Sequence, residues 1–504
     1  MTSRSAFWSV AVVLAALVLL RAWPFVWWPA THFDSDQAIV GLMAKHISEA
    51  RAFPLFYYGQ NYMLAVEAYL AAPVMLVAGP TVTALKTPLV LINIGVVVML
   101  LRVLVTEARL RPWVASLAVL PLAVPAAGVA ARVTEANGGN VEPWLYVLLL
   151  WVTRARPWAL GVILGVGMLH REFTAYGAAA LLILDAAGVL AGPSRLALAA
   201  EATRRWAIAG LAFVGVRSLA AAIQPFANGL GPGSRGDDPR LVATIVETVG
   251  GRICIDPANW PERASRLVGE HLPRLIGGWP APLSEYGVLT GVFSGQNGLA
   301  LWVGALTAVG LASGGWHWFA SRRRPGTPGG AAPPSSHIGG YLVLVGLIST
   351  LVYGFATCSD IRVATLRYNL LGVMIPVGAL VMALQTWRAP TIRAGLGAAV
   401  VLWCALNLSD VLALARESMR APFPDRRLAL AEDLERRGIA VAWSRYGIAY
   451  HVTFLARERV RVSANDFSRI LAYANEATET GAPTITDVPC EAGERLQPGL
   501  FLCP

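Results

Sequence analysis

The sequence predicts an all-α polytopic membrane protein with about eleven transmembrane helices, one juxtamembrane or re-entrant helix, and a small extracytoplasmic α/β domain at the C-terminus. Of its 504 residues, 56% are hydrophobic and only 14% are charged, and the mean hydropathy is +0.55. Soluble domains are about 25% charged. Long apolar stretches recur through residues 1–414, whereas residues 415–504 lose that pattern.

The first apolar stretch predicts an uncleaved membrane helix that begins in the cytoplasm. Arg4 precedes it, and no small-residue cleavage site of the kind a signal peptide needs follows it. The stretch continues past Arg21 into AWPFVWWPA, whose tryptophans suit a membrane–water interface.

Further apolar stretches along the chain predict the remaining helices. We place the full set near 7–29, 64–80, 85–104, 114–131, 144–153, 157–169, 173–191, 206–223, 296–315, 338–357, 368–386 and 394–414. The basic residues form short clusters between these stretches, which is typical of cytoplasmic loops that contact anionic lipid headgroups. The net charge of +10 therefore indicates membrane lipids as partners and not nucleic acid, for which no basic-aromatic motif is present.

The charge pattern decides whether stretch 64–80 crosses the membrane. If it crossed, the basic cluster Arg102 to Arg111 would lie outside the cell, and the later basic loops would also fall on the opposite side from the one that the positive-inside rule requires. We therefore predict that 64–80 lies in the interface or re-enters. The predicted outer segments are then 30–84, 132–143, 170–172, 224–295, 358–367 and residues from about 415 onward.

Two segments outside the helices have a distinct character. Residues 322–337 are rich in glycine and proline and predict a flexible cytoplasmic linker. In 415–504, PDRRLALAEDLERRG and LAYANEATE have helical periodicity, whereas IAVAWS and RVRVSA are typical of short strands. We expect a transmembrane domain at 1–414 and a soluble extracytoplasmic domain at 415–504.

Four of the five cysteines lie on predicted outer segments, where disulfides are permitted. Cys254 with Cys358 and Cys490 with Cys503 are the pairs we consider, with free thiols as the alternative. No cysteine or histidine spacing of a metal site is present.

The segment from Phe33 to Leu70 holds the acids with most functional promise. Asp34 and Asp36 could bind a divalent metal ion together, or one could be a general base with a raised pKa. Capping of the following helix is the simpler alternative. Glu67 lies in an apolar run, where a carboxylate is a functional candidate or a hydrogen-bonding partner of a neighbouring helix. Tyr58, Gln60 and Tyr62 form a polar-aromatic edge that could contact a sugar or a lipid headgroup. An ordinary aromatic belt at the membrane interface would explain the tyrosines equally well.

Three later positions add candidate binding residues. The loop RVTEANGGNVEPW carries Glu135 and Glu142 around a Gly-Gly pair that allows a sharp turn. His170 and Arg171 interrupt two apolar runs. Either residue, as a cation, could bind a phosphate. The alternative is that the charged residues of this turn only pair with one another. Arg367 and Tyr368 begin a helix on the outer side, where the arginine could pair with a lipid phosphate or snorkel.

In order along the chain, FDSDQA, FYYGQNYMLAVEAYL, GGNVEPW and RYNLLGVMIP resemble polyprenyl-phosphate-dependent GT-C glycosyltransferases. The branch most similar is that of protein O-mannosyltransferases and aminoarabinose transferases. The resemblance covers the membrane region, and RYGIAYHVTFLARERVRV is similar to the soluble end of bacterial members.

The resemblance implies a GT-C-like fold and catalytic acids at Asp34/Asp36, with a second acidic position at Glu135 or Glu142. Many members have an Asp-Glu pair in the first loop, whereas Gln37 follows Asp36 here, so the acid pair would be Asp34/Asp36 or Asp36/Glu67. The implied activity is transfer of a sugar from a polyprenyl-phosphate donor to an acceptor on the outer face of the plasma membrane, with or without a metal ion. A transporter or flippase and a non-catalytic scaffold of the same fold are the alternatives.

Overall fold

The computed structural model describes residues 3–28, 32–192, 194–227, 253–277, 282–284, 287–288, 303–313, 338–362, 364–420 and 425–504. The predicted linker 322–337 and most of the predicted outer loop 224–295 lie outside the described residues. The described residues form a helical membrane domain followed by a small domain of mixed α/β structure.

The helices are α1 (Ser3–Trp27), α2 (Ser35–Ser48), α3 (Val66–Ala78), α4 (Val82–Thr106), α5 (Pro112–Ala123), α6 (Ala127–Arg132), α7 (Glu142–Thr153), α8 (Pro157–His170), α9 (Thr174–Ala191), α10 (Arg195–Ile223), α11 (Trp260–Arg266), α12 (Leu272–Ile276), α13 (Val303–Ser313), α14 (Ile338–Phe355), α15 (Met374–Thr386), α16 (Pro390–Arg420), α17 (Arg426–Arg436), α18 (Tyr446–Leu455) and α19 (Leu471–Glu479). The strands are β1 (Pro282–Ser284), β2 (Gly287–Val288), β3 (Val441–Ser444), β4 (Arg461–Ala464), β5 (Thr484–Thr486), β6 (Glu494–Gln497) and β7 (Leu500–Cys503). A 3-10 segment, Ala364–Val373, leads directly into α15.

Every predicted apolar stretch contains an apolar helix, and the chain is a multi-pass membrane protein. Among the described residues, seven helical segments are long and apolar enough to cross a membrane: α1, α4, α9, α10, α14, the 3-10 segment with α15, and α16. Five shorter apolar helices, α3, α5, α7, α8 and α13, account for the other predicted stretches. The stretch 114–131 is divided between α5 and α6, because Val124 precedes a proline and leaves the helical conformation (φ −132°, ψ 69°).

The helix α3 has the length expected of a segment that does not cross. Its 13 residues span about 20 Å at 1.5 Å per residue, against about 30 Å for the hydrocarbon core. Glu67 lies in its first turn, and the helix packs between α2 and α4.

Two buried cations tie the membrane helices to the loops between them. Arg21 in α1 donates from Nε to the carbonyl of Ala123 at 3.1 Å and from Nη2 to Asn93 Oδ1, so it satisfies a backbone group freed at the end of α5. Lys86 near the start of α4 donates to the carbonyls of Phe25 and His32. These bonds tie the start of the first outer loop to α4.

The C-terminal domain is a five-stranded sheet in the order β4-β3-β5-β7-β6. β3 runs parallel to both β4 and β5, whereas β7 is antiparallel to β5 and β6. The predicted helices α17 and α19 and the predicted strands β3 and β4 are confirmed. The helix α18 was not predicted from the sequence, because it is buried against both α2 and β4 and so lacks a polar stripe. α16 extends to Arg420, and the predicted domain division at residue 414 stays a prediction.

Both cysteine pairs considered from the sequence form disulfides. Cys254 is bonded to Cys358, and Cys490 is bonded to Cys503. Cys404 is buried in α16 as a free thiol. The first bond ties the segment before α11 to the end of α14, where Ile253 and Thr357 also pair as a β-bridge.

Candidate active site at the outer loops

The two aspartates of the first loop lie at the start of α2 but have different partners. Asp34 is the N-cap of the helix, and its Oδ1 accepts a hydrogen bond of 3.0 Å from the backbone N–H of Gln37. Asp36 lies in the first turn, and its carboxylate points away from the helix backbone to partners elsewhere in the chain. The capping alternative therefore applies to Asp34. It does not explain Asp36, whose carboxylate is not used to cap the helix.

Asp36 is held from three sides. Its Oδ1 accepts a hydrogen bond of 2.6 Å from the hydroxyl of Tyr446 in the C-terminal domain, and its Oδ2 lies 3.5 Å from Arg367 Nη1. The hydroxyl of Tyr57 donates to its backbone carbonyl at 3.1 Å. The side chain keeps 29% of its surface exposed. Asp36 is thus oriented, paired with a cation and open to a ligand.

Arg367 and Tyr368 lie together in the 3-10 segment before α15. Arg367 Nη2 donates to the hydroxyl of Tyr368 at 3.3 Å, and its Nε has no hydrogen-bond partner among the described residues. The guanidinium is 23% exposed, so it can bind an anion next to Asp36.

Glu135 in the second outer loop is the most strongly paired acid of the site. Arg132 Nη1 lies 2.5 Å from one oxygen, and Asn140 Nδ2 donates to the other at 2.8 Å. His32 Nε2 lies 3.3 Å from the carboxylate without hydrogen-bond alignment. Burial alone would raise the pKa of Glu135, but Arg132 and His32 hold that pKa well below its usual range. Glu135 is a fixed negative charge.

That fixed charge acts on Asp34. Burial and the negative charges of Glu135 and Asp36 together raise the pKa of Asp34 to about 7, although the Gln37 N–H opposes the shift. Asp34 therefore keeps its proton to a higher pH than an ordinary aspartic acid does.

Glu67 turns toward the Gly-Gly pair of the second loop. Its two oxygens accept hydrogen bonds from the backbone N–H groups of Gly138 and Gly139, at 2.7 and 2.8 Å. Both glycines have positive φ, +65° and +95°, which permits this turn. A Cβ on Gly139 would lie 2.8 Å from Arg171 Cγ. Glu67 thus makes structural hydrogen bonds, although to a loop and not to the neighbouring helix that the sequence suggested.

Three buried side chains around this turn converge. Ligand atoms of Glu67, Glu142 and His170 lie within 4.8 Å of one another. His170 Nδ1 pairs with the hydroxyl of Tyr146 at 2.9 Å. Arg171 Nη2 donates to the carbonyl of Asn137 at 3.0 Å. Among the described residues, this is the group whose side chains could hold a metal ion. The carboxylates of Asp34 and Asp36 already have partners: the N–H of Gln37 for Asp34, and Tyr446 and Arg367 for Asp36. Metal binding by these two aspartates stays a prediction.

The polar-aromatic edge of the first loop faces the C-terminal domain. The buried hydroxyl of Tyr58 lies 2.9 Å from His46 Nδ1. The amide oxygen of Gln60, oriented toward Arg469, accepts from its two terminal nitrogens at 2.9 and 3.1 Å. Tyr62 is half-buried against the membrane core. Donor binding by these three residues stays a prediction.

The structure brings Asp34, Asp36, Glu135 and Arg367 into one region, but the sequence analysis did not identify several of their partners. Tyr446 and Arg469 come from the C-terminal domain, and no local pattern links them to the first loop. Lys86 and Arg21 could have been found, because a charge inside an apolar stretch is a signal in itself.

No protein-family model and no curated protein matches the chain. Two solved structures of ArnT from Cupriavidus metallidurans are similar. The structure in the apo state has a TM-score of 0.54 and 10% sequence identity, and the match covers 94% of this chain and 92% of that one. The structure bound to undecaprenyl phosphate has a TM-score of 0.52 and 11% identity, with 95% and 88% covered. The predicted GT-C-like fold, a helical membrane domain with a small C-terminal sheet domain, is thereby confirmed.

Proposed function

We propose that the protein is an integral membrane glycosyltransferase that moves a hexosyl or pentosyl group from a polyprenyl-phosphate-linked donor to an acceptor hydroxyl. The observation that carries the proposal is the pairing of Asp36 with Arg367, a partly exposed carboxylate 3.5 Å from a partly exposed guanidinium. The similar ArnT structure bound to undecaprenyl phosphate supports a polyprenyl-phosphate partner.

Asp36 has the properties of a general base for this reaction. An acceptor hydroxyl attacks the anomeric carbon of the donor while a carboxylate takes its proton, and the bond from that carbon to the phosphate oxygen breaks. Tyr446 and Arg367 orient the Asp36 carboxylate, so no rotamer search precedes proton transfer. Asp34 is the second acid beside it.

The departing polyprenyl phosphate needs positive charge. Arg367 offers an unpartnered Nε beside Asp36, and the buried Nε of Arg171 is also without a hydrogen-bond partner. Guanidinium groups bind phosphate oxygens strongly, and they stabilise charge that develops on a leaving group. We assign phosphate binding to Arg367 first.

We further propose that the protein lies in the plasma membrane with this site on the extracytoplasmic face. The two disulfides support this orientation, since such bonds persist in oxidising compartments. The placement suits the donor, because its phosphate lies at the headgroup level while its polyprenyl chain stays in the lipid.

The test is a transfer assay in proteoliposomes that hold the purified protein and a panel of polyprenyl-phosphate sugars. We expect Asp36→Asn to lower transfer by at least about 100-fold, the lower range for loss of a general base. Asp360→Asn is the matched control, because the side chain of this acid is 56% exposed and, among the described residues, pairs with Arg362.

Near-normal transfer by a folded Asp36→Asn protein would refute the assignment of the base. Counterflow of an unmodified sugar lipid without any transfer would instead favour a transporter. In each case, monodisperse elution in detergent establishes that the variant is folded.

A further inference from the structure

The group formed by Glu67, Glu142 and His170 has features that the proposed transfer reaction does not use. The three residues come from α3, α7 and α8, and their exposed fractions are 3%, 1% and 1%. One ligand atom from each lies within 4.8 Å of the others. The helix α3 and the consecutive helices α7 and α8 thus meet at a pair of acids and an imidazole.

Several polar atoms of this group are buried without a hydrogen-bond partner. They are both carboxylate oxygens of Glu142 and Nε2 of His170. The backbone N–H groups of Val141 and Glu142 lie near the Glu142 carboxylate but without hydrogen-bond geometry. Buried polar atoms are almost always satisfied, so three unsatisfied atoms at one point indicate a missing partner.

The surrounding bonds orient the three side chains toward that point. Tyr146 pairs with Nδ1 of His170 and leaves the buried Nε2 without a hydrogen-bond partner. The N–H groups of Gly138 and Gly139 fix the Glu67 carboxylate. Such outer contacts are typical of metal ligands, whose orientation they set.

Ionisation of both carboxylates would require a further cation at this point. Two carboxylates lie side by side in a buried site, and Arg171 is the cation that interacts with both. Arg171 already donates to the carbonyl of Asn137, and it supplies one positive charge for two negative ones. A divalent ion would neutralise the group and accept the free lone pairs.

We propose that Glu67, Glu142 and His170 bind one divalent transition-metal ion of the Zn²⁺ or Mn²⁺ type. Two carboxylates and one imidazole are ligands that these ions accept, and the imidazole disfavours Mg²⁺ and Ca²⁺. The ion is a clamp that joins α3, α7 and α8 to the Gly-Gly turn. The same loop carries Glu135, so the ion sets the position of the acid that acts on Asp34. This inference stands independently of the proposed transfer reaction, because metal content is measured without an activity assay.

The experiment uses the tag-free full chain in detergent, stripped with EDTA, reloaded with Zn²⁺ or Mn²⁺, and passed through a desalting column. We expect inductively coupled plasma mass spectrometry to find about one tightly held ion per chain. Reloading should raise the thermal unfolding temperature, since an ion that binds only the folded state stabilises it. Glu142→Gln and His170→Gln should both lose the ion and the temperature shift.

Asp36→Asn and Asp34→Asn are the controls, and both should keep the ion. Wild-type protein that holds no ion and shows no temperature shift would overturn the proposal. Retention of the ion by monodisperse Glu142→Gln and His170→Gln would also overturn it. Loss of the ion in Asp36→Asn, with retention in the other two, would move the metal to the Asp34/Asp36 pair. A Glu142→Gln protein that fails to fold leaves His170→Gln and the wild-type temperature shift to decide.

Discussion

The hydroxyl of Tyr446 donates a hydrogen bond of 2.6 Å to Asp36 Oδ1, across 410 residues of chain. Asp36 lies in the first turn of α2, whereas Tyr446 begins α18 in the C-terminal domain. α18 also packs along α2, so the contact belongs to a broad interface. The C-terminal domain therefore completes the candidate active site, and its loss would leave the proposed base without one of its two orienting partners.

We expect Tyr446→Phe to lower transfer by about 10-fold, or about 1.4 kcal/mol in the activation barrier, because the hydrogen bond that orients Asp36 is lost. The aromatic ring and its packing on Tyr450 and Phe467 remain, so the protein should fold normally. The measurement is the initial rate of transfer in proteoliposomes. Tyr69→Phe is the control, since that tyrosine is 42% exposed on α3. Equal rates for Tyr446→Phe and Tyr69→Phe would contradict the orienting role.

The Gly-Gly turn of the second loop gives a prediction on stability. Gly139→Ala places a Cβ at φ +95° and within 2.8 Å of Arg171 Cγ and 3.0 Å of His170 Nε2. We expect a loss of about 2 kcal/mol, the sum of backbone strain and displaced neighbours, seen as a lower thermal unfolding temperature in detergent. Gly95→Ala is the matched control, because a Cβ there meets nothing within 4 Å. An unchanged unfolding temperature for Gly139→Ala would show that the loop adapts freely.

The sequence predicted the helical membrane domain because apolar length is a local property, readable one segment at a time. It also predicted the region of the site, since acids beside a membrane stand out against an apolar background. It could not predict the partners of those acids. Asp36 meets Tyr446, and Glu67 meets the N–H groups of Gly138 and Gly139, through contacts that only the folded chain creates. The two cysteine pairs were found because few outer cysteines were available to combine.

The raised pKa of Asp34 predicts how stability depends on pH. The folded protein keeps this proton up to about pH 7, whereas an unfolded aspartate releases it near its ordinary pKa of 3.8. Stability should therefore fall as the pH rises through this window and level off above it. Asp34→Asn, which preserves the cap, should be more stable than the wild type above pH 7, by about 1.4 kcal/mol for each unit by which folding raises the pKa of Asp34.

The measurement is the difference in thermal unfolding temperature between wild type and Asp34→Asn from pH 4.5 to 8. That difference should grow with pH up to about 7, where the pKa lies. Asp360→Asn, at an exposed site, serves as the control and should show a flat difference. A flat difference for Asp34→Asn as well would mean that Asp34 is charged in the folded protein.

The junction between α2 and the C-terminal domain gives the last prediction. Glu458 is 8% exposed, and it meets Lys45 at 2.5 Å, His46 at 3.1 Å and the hydroxyl of Tyr473 at 2.6 Å. Burial would raise the pKa of Glu458, but His46 and Lys45 hold that pKa well below its usual range. Glu458→Gln removes the buried carboxylate partner of Lys45 and leaves Lys45 paired with Glu49, whose side chain is 40% exposed, so we expect a cost of about 1–3 kcal/mol.

We expect Glu458→Gln to loosen the C-terminal domain from α2, so that limited proteolysis cleaves the chain faster between α16 and α17. Because Tyr446 reaches Asp36 from that same domain, transfer should fall together with protection from protease. Glu435→Gln is the control, since Glu435 pairs with Arg459, whose side chain is 61% exposed, and such pairs contribute at most about 1 kcal/mol. If Glu458→Gln kept wild-type protection but lost transfer, Glu458 would act on the site by a route other than domain docking. If it lost protection but kept transfer, the C-terminal domain would not be needed to hold Asp36 in its working orientation.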